Sequence, residues 1–418
     1  MSRVKDFNDS PLNNMTVVQD KIQDSIDRQL QAQPKEVVFC KRCVVSNQRP
    51  RITFNDSGIC SACQYSNQKR SVIDWQAREE QLQELCKKYR RSDGYYDVVV
   101  PGSGGKDSAT VAHRLKHQYG MHPLTITWAP FSYTDIGWKN YQSFINAGFA
   151  NLLAFPNRRL HRKLSRISFE AVGDNFQPFS YGQMAYVFHI ALKFDIKLVF
   201  FGENAEAEYG GSTKHNYLPS RPIEDFAEMY FKGTTVDDLI EWGKTRNLIS
   251  RDDYDPSDLI FYKPPAITAL KEKEIQMHWF SYYHNWIPQE NYYYAAEHTG
   301  FQANPDGRSE GTYSKYASLD DKLDGLHYYM AYIKFGIGRA TSDAAHEIRD
   351  GHITRQEAIA LVKRYDGEFP KKYLQETLEY LNLSEEKFWG IVDRYRSPHL
   401  WKQENGEWQL RSPIWAEG

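Results

Sequence analysis

From Tyr95 to Gly211 short apolar runs alternate with amphipathic stretches, and this alternation constrains the fold more than any other feature of the chain. The spacing predicts strands at 97–101, 124–128, 151–155 and 197–201, with helices at 108–119, 134–147, 158–172 and 181–194. Such an order implies an α/β fold, a parallel sheet with helices on both faces. Ligands of these sheets bind at the carboxyl ends of the strands. Three segments should therefore converge: the loop at 102–107, the segment Trp128-Ala129-Pro130, and Gly202 to Gly211.

The first of these carries the most chemistry. Ser103-Gly104-Gly105-Lys106-Asp107-Ser108 lies between a strand and the start of a helix. Glycines let the backbone come close to a ligand, and a helix start offers unpaired N–H groups and a positive dipole end to a phosphate. Ser103 and Ser108 add hydroxyl donors, Lys106 adds charge, and the Asp107 carboxylate suits Mg²⁺. A Walker loop is excluded, because Val100 stands where its first glycine belongs and Asp107 where its Ser or Thr belongs. Asp107 also occupies the third glycine position of the dinucleotide fingerprint. The segment resembles the PP-loop of the N-type ATP pyrophosphatases, in which ATP is cut between its α and β phosphates. The resemblance implies that a substrate oxygen takes the AMP, and that a nitrogen or sulfur nucleophile then displaces it.

Four of the five cysteines form the pairs Cys40-x-x-Cys43 and Cys60-x-x-Cys63, sixteen residues apart. That is the two-knuckle spacing of a structural Zn²⁺ site, with a hairpin turn at Asn55 to Gly58 between the knuckles. A disulfide framework and a redox pair are the alternatives. Lys41, Arg42, Arg49 and Arg51 are few charges for RNA and read as a solvated basic face. Cys86 falls on the apolar side of a helical pattern and reads as core.

The remaining pattern divides the chain into a polar leader at 1–36, the cysteine module at 37–66, a linking helix within 67–94, and the nucleotide-binding α/β domain at 95–211. The leader places Val18, Ile22, Ile26 and Leu30 at helical steps. An aromatic-rich insertion at 212–314, without clear period, is expected to wall or lid the site, and a helical region at 315–418 to complete it, with 401–418 as a peripheral tail. The chain holds 28 Tyr, 22 Phe and 10 Trp, which suit a core or a sugar-binding wall. A formal net charge of −2 gives no basic field for nucleic acid or an anionic membrane. No stretch has the length of an apolar bilayer span and the amino terminus lacks an apolar signal segment, so the expected location is the cytoplasm.

Further segments narrow the resemblance. The cysteine pairs, Gly202-Glu203-Asn204 with Glu208-Tyr209-Gly210-Gly211, Lys334-Phe335-Gly336-Ile337-Gly338-Arg339-Ala340-Thr341-Ser342-Asp343, the run Glu347 to Arg355, and Tyr365-Asp366-Gly367-Glu368-Phe369-Pro370 together resemble the N-acetyl sugar amidotransferases. The likeness runs through residues 37–395. It implies an enzyme that uses ATP and Mg²⁺ to adenylate an acetamido oxygen and lets ammonia replace it. The product is an acetamidino sugar of lipopolysaccharide O-antigen or of pseudaminic or legionaminic acid glycans. Lys106 and Asp107 would then act on the phosphates. Lys334 and Arg339, in a glycine-containing turn that the resemblance marks, are the next candidates for catalytic cations, with solvated surface charge as the alternative. Trp128, Glu203 and Asn204 are candidates for binding nucleotide, Mg²⁺ or substrate, with a helix cap as the alternative for the last two. The chain has no glutaminase elbow, and the resemblance implies a HisH-like glutaminase with a HisF-like subunit as ammonia conduit. A tRNA thiolase is the competing enzyme reading, weakened by the lack of further cysteines. A nucleotide-binding scaffold without catalysis is the competing reading from another class.

Overall fold

The computed structural model describes residues 24–222, 225 and 231–416. Val18 and Ile22, read as part of a leader helix, lie outside the described residues. Five strands form one parallel sheet: β1 (Val98–Pro101), β2 (Pro123–Trp128), β3 (Asn151–Ala154), β4 (Leu198–Phe201) and β5 (Gln276–Trp279). Their order is β3-β2-β1-β4-β5, so the chain reverses direction across the sheet between β1 and β4. A crevice opens at such a point, beyond the carboxyl ends of the strands.

The four strands expected between 97 and 201 are present within a residue or so of their predicted bounds, and local chemistry fixes the helices between them. Thr134 caps the Asp135–Asn146 helix by accepting from Gly137 N. Asn157 caps Arg158–Val172 by accepting from the N–H groups of Arg159 and Leu160. The helix Lys106–His117 follows β1 directly, with Gly105 at its cap position. Val98 and Val100 pack with Leu115 on one sheet face, while Val99, Ile126 and Val199 meet Val187 and Ile190 of the Gln177–Lys193 helix on the other.

The region after Gly211 departs from expectation. Within the segment read as an irregular insertion, β5 adds a parallel edge strand with Leu198 opposite Gln276, and the helix Pro288–Thr299 lies along Lys106–His117. The strand was illegible because it reads Gln-Met-His-Trp, not as an apolar run. The carboxyl end also departs from a peripheral tail. Trp401–Glu404 (β6) and Glu407–Leu410 (β7) form an antiparallel hairpin, and buried Trp401 donates its Nε1 hydrogen to Ile333 O at 2.7 Å.

Residues 24–36 also join the body. Ile26 N donates to Ala171 O, Leu30 is buried, and the buried Asp27 carboxylate takes the Lys334 ammonium. Among the described residues no helix is long and apolar enough to cross a membrane.

Candidate functional site

A cavity of about 730 Å³ opens at the carboxyl end of the sheet. The loop after β1 forms its floor. Gly104 has φ +85°, and a Cβ there would stand 2.7 Å from Tyr141 Cα and 2.9 Å from Asn140 O, so no other residue fits. Gly102 to Ser108, Trp128 and Pro130 after β2, and Gly202 and Glu203 after β4 all line the space, so the three segments expected to converge do so.

Within the loop the polar groups are held. Lys106 Nζ pairs with Asp107 Oδ2, and Asn291 Nδ2 donates to Asp107 Oδ1 at 3.0 Å. Ser103 hydrogen-bonds the Asp320 carboxylate, and Ser108 Oγ donates to Gly105 O at 3.2 Å. Glu203 is half-buried; that burial, with the Asp107 carboxylate near it, pushes its pKa up to about 7. Two carboxylates facing one space beside a phosphate loop are the donor type Mg²⁺ takes, so Asp107 and Glu203 fit that ion.

Two of the expected site residues do not offer their polar groups to the cavity. Asn204 is buried behind the cavity wall, with its backbone N–H on Ser281 Oγ and its Nδ2 on His215 O. It occupies the cap position of the Ala205–Tyr209 helix without making a side-chain cap bond. Lys334 touches the cavity, yet its ammonium is buried in bonds to Asp27 and to Val172 O. That cation neutralises an internal carboxylate and is not on offer to a phosphate. Trp128 lines the cavity while packing within van der Waals contact of Gly182, and its buried Nε1 has no hydrogen-bond partner among the described residues.

Arg339 does reach the site. Its Nε lies 3.1 Å from Asp343 Oδ1 and its guanidinium bonds the Tyr328 hydroxyl. Burial is the largest influence and works against its charge, but Asp343, Tyr328, Tyr209 and Asp324 together outweigh it, so Arg339 is held above the ordinary range.

The cysteine module supplies an unexpected wall. Arg49, Pro50 and Arg51 line the cavity, against their reading as solvated charge. Arg49 Nε donates to Gly210 O at 2.6 Å, and burial pulls its pKa down. Arg51 pairs with Glu206 at 2.5 Å. Behind this loop the Sγ atoms of Cys40, Cys43, Cys60 and Cys63 lie within 4.8 Å of one another, all buried. The Cys43 and Cys60 sulfurs are 3.7 Å apart. A tetrahedron with Zn–S bonds of about 2.3 Å has edges of about 3.8 Å, so the cluster fits Zn²⁺. N–H groups of Arg42 and Cys60 point at Cys40 Sγ at 3.4 and 3.3 Å, as donors to a thiolate would. The buried guanidinium of Arg349 is held above its ordinary range by these sulfurs, which outweigh the opposing effect of burial. Cys86 is separate, buried in the core, and burial pushes its thiol up to about 12.

The residues that motif reading missed sit mostly on one helix face. Asp324, His327, Tyr328 and Ala331 recur at three- and four-residue steps along Asp324–Phe335, in line with the already expected Lys334, and all line the cavity. The signal was available as a polar stripe where an apolar one belongs. The preceding turn is pinned to the sheet: Phe131 N donates to Asp321 Oδ2 at 2.6 Å and Thr134 N to Asp320 O. Buried Asp174 and half-buried Lys232 complete the far wall as an ion pair. Aromatic walls exist too, yet Phe176, Phe179, Tyr186, Tyr209, Tyr316 and Tyr328 contribute more of them than the aromatic-rich segment, from which Trp279 and Phe301 reach the cavity.

Comparison with known proteins adds the following. Residues 310–413 match the family model described as LPS biosynthesis protein WbpG-like, C-terminal domain. No curated protein matches. Among solved structures the chain is similar to the NH3-dependent NAD synthetase from Campylobacter jejuni subsp. jejuni NCTC 11168 in complex with the nitrate ion, at 15% identity and TM-score 0.27, over 48% of this chain and 94% of that one. It is also similar to NMN synthetase from Francisella tularensis, at 15% identity and TM-score 0.28, over 56% of this chain and 89% of that one.

Proposed function

We propose that this chain, whose residues 310–413 match the model of a WbpG-like C-terminal domain of lipopolysaccharide biosynthesis, is a PP-loop, ATP-dependent amidotransferase acting on an N-acetylated sugar. The observation that carries the reading is the cavity itself. It joins the glycine loop after β1 to residues of the WbpG-like region, including Tyr328 and Arg339, so a nucleotide on the loop would face a substrate held by that region.

The chemistry follows from what an amide resists. Its carbonyl is a poor electrophile, and ammonia replaces the oxygen only once that oxygen has become a leaving group. Attack of the acetamido oxygen on the α phosphate of ATP forms the O–P bond and releases pyrophosphate. Ammonia then adds at the carbon, and AMP departs with the oxygen, leaving an amidine. The backbone N–H groups around Gly104 and Gly105 and the Lys106 ammonium would hold the leaving pyrophosphate, and Arg339 would meet charge developing nearer the substrate. Mg²⁺ bound by Asp107 and Glu203 would supply neutralisation of phosphate charge. Zn²⁺ on the four cysteines would fix the loop that carries Arg49 and Arg51 to the wall.

The same reading places the protein in the cytoplasm and takes its ammonia from a HisH-like glutaminase through a HisF-like subunit. It is tested by mass spectrometry of acetamido sugars incubated with protein, ATP, Mg²⁺ and ammonium. Amide converted to amidine, with AMP and pyrophosphate formed alongside, supports it; unchanged sugar throughout contradicts it.

A further inference from the structure

We propose that His327, oriented by Asp174, is the general base of the second half-reaction and takes the proton that the attacking ammonia must lose. This rests on the amidine-forming function proposed above.

His327 projects from the cavity-facing side of the Asp324–Phe335 helix, with its side chain 29% exposed. Its Nδ1 lies 2.9 Å from Asp174 Oδ1. Asp174 is itself buried and cannot swing away, since it accepts from Phe176 N at 2.9 Å and pairs with Lys232. The Phe176 ring packs 5.2 Å from the imidazole. A carboxylate on Nδ1 fixes the Nδ1–H tautomer and leaves the lone pair on Nε2. Among the described residues Nε2 has no hydrogen-bond partner, and no other imidazole lines the cavity. Asp324 and Lys334 flank it on its own helix, while Asp174 and Lys232 face it from outside. Buried carboxylate, fixed imidazole and open cavity form the arrangement that general-base catalysis requires.

The reaction supplies the need. When ammonia adds to the adenylated carbon, the C–N bond forms and the new nitrogen carries three hydrogens and a positive charge. Loss of one proton to His327 Nε2 lets the C–O bond break, and its electron pair leaves with AMP. The organic product is the amidinium, and the imidazolium, stabilised by Asp174, returns its proton to water.

The test separates the two half-reactions. UDP-N-acetylglucosamine, UDP-N-acetylgalactosamine and CMP-N-acetylneuraminate serve as probes, with sugar-dependent exchange of labelled pyrophosphate into ATP reporting adenylation. The wild-type chain should show exchange and amidine formation with at least one probe. His327→Gln should retain exchange within about threefold and lose ammonia-dependent amidine formation by about 10²–10⁴-fold. Hydroxylamine, whose adduct gives up its proton far more readily, should restore much of that loss. Asp174→Asn should lower the same step and move its acid limb in a pH profile. Amidine formation by His327→Gln at the wild-type rate overturns the proposal, as does equal loss of exchange. No exchange by the wild type with any probe refutes the proposed function, and this inference with it.

Discussion

Asn291 Nδ2 donates to Asp107 Oδ1 across 3.0 Å, tying the loop carboxylate to the helix Pro288–Thr299. The bond leaves Oδ2 with Lys106 and so fixes the face that Asp107 turns to the cavity. Asp107→Ala should lower pyrophosphate release from ATP by at least about 10²-fold, because an electrostatic partner of the reacting phosphates is removed. Asn291→Ala removes only the orientation and should cost about tenfold or less. Initial rates of pyrophosphate release, at unchanged melting temperature, check both.

The four cysteines make a metal prediction. Elemental analysis of the purified chain should find about one zinc per molecule, and Cys43→Ser should abolish it. Because the same module places Arg49 and Arg51 in the cavity wall, the variant should also lose protease resistance near residues 49–51. Full retention of zinc by Cys43→Ser would remove the cluster from the account.

Lys334 and Asp27 are fully buried partners from distant parts of the chain. Lys334→Met leaves Asp27 as an unpaired buried charge and should destabilise by about 3–5 kcal/mol. Adding Asp27→Leu should recover most of that loss and restore the activity lost with it. A double variant that is stable in urea yet inactive would return Lys334 to the catalytic machinery.

His161 gives the fold an acid limit. Its ring is buried against Phe131, with Nδ1 2.7 Å from the Tyr262 hydroxyl, and burial lowers its pKa to about 3. The unfolded ring, with a pKa of about 6.5, takes up a proton that the folded one refuses. Stability from this residue is therefore present above pH ~6.5 and falls as pH drops towards 3, by about 2 kcal/mol between pH ~6.5 and ~5. His161→Phe should show a smaller drop in melting temperature than the wild type over that interval.

What the sequence disclosed follows from range. The loop 103–108, the first four strands and the cysteine pairs are local patterns, and each is where its own residues place it. The helix Arg355–Tyr365 is set as locally, by the reciprocal bonds between Thr354 and Glu357 at its start. Long-range pairings were invisible: Asp27 with Lys334, Asp174 with Lys232 and His327, and Asp107 with Asn291 join residues far apart in the chain. β5 stayed hidden because its edge position asks for only a short strand without an apolar run. Arg49 and Arg51 read as surface charge because nothing local shows that Gly210 and Glu206 lie opposite them.

The central claim is that the acetamido oxygen itself receives AMP in a cavity floored by Gly104 and Gly105. An N-acetyl sugar accepted as substrate, prepared with heavy oxygen in its acetamido carbonyl, is incubated with the protein, ATP, Mg²⁺ and ammonium, and the nucleotide product is weighed. The account predicts AMP carrying the heavy oxygen. Unlabelled AMP, or ADP in its place, would contradict it.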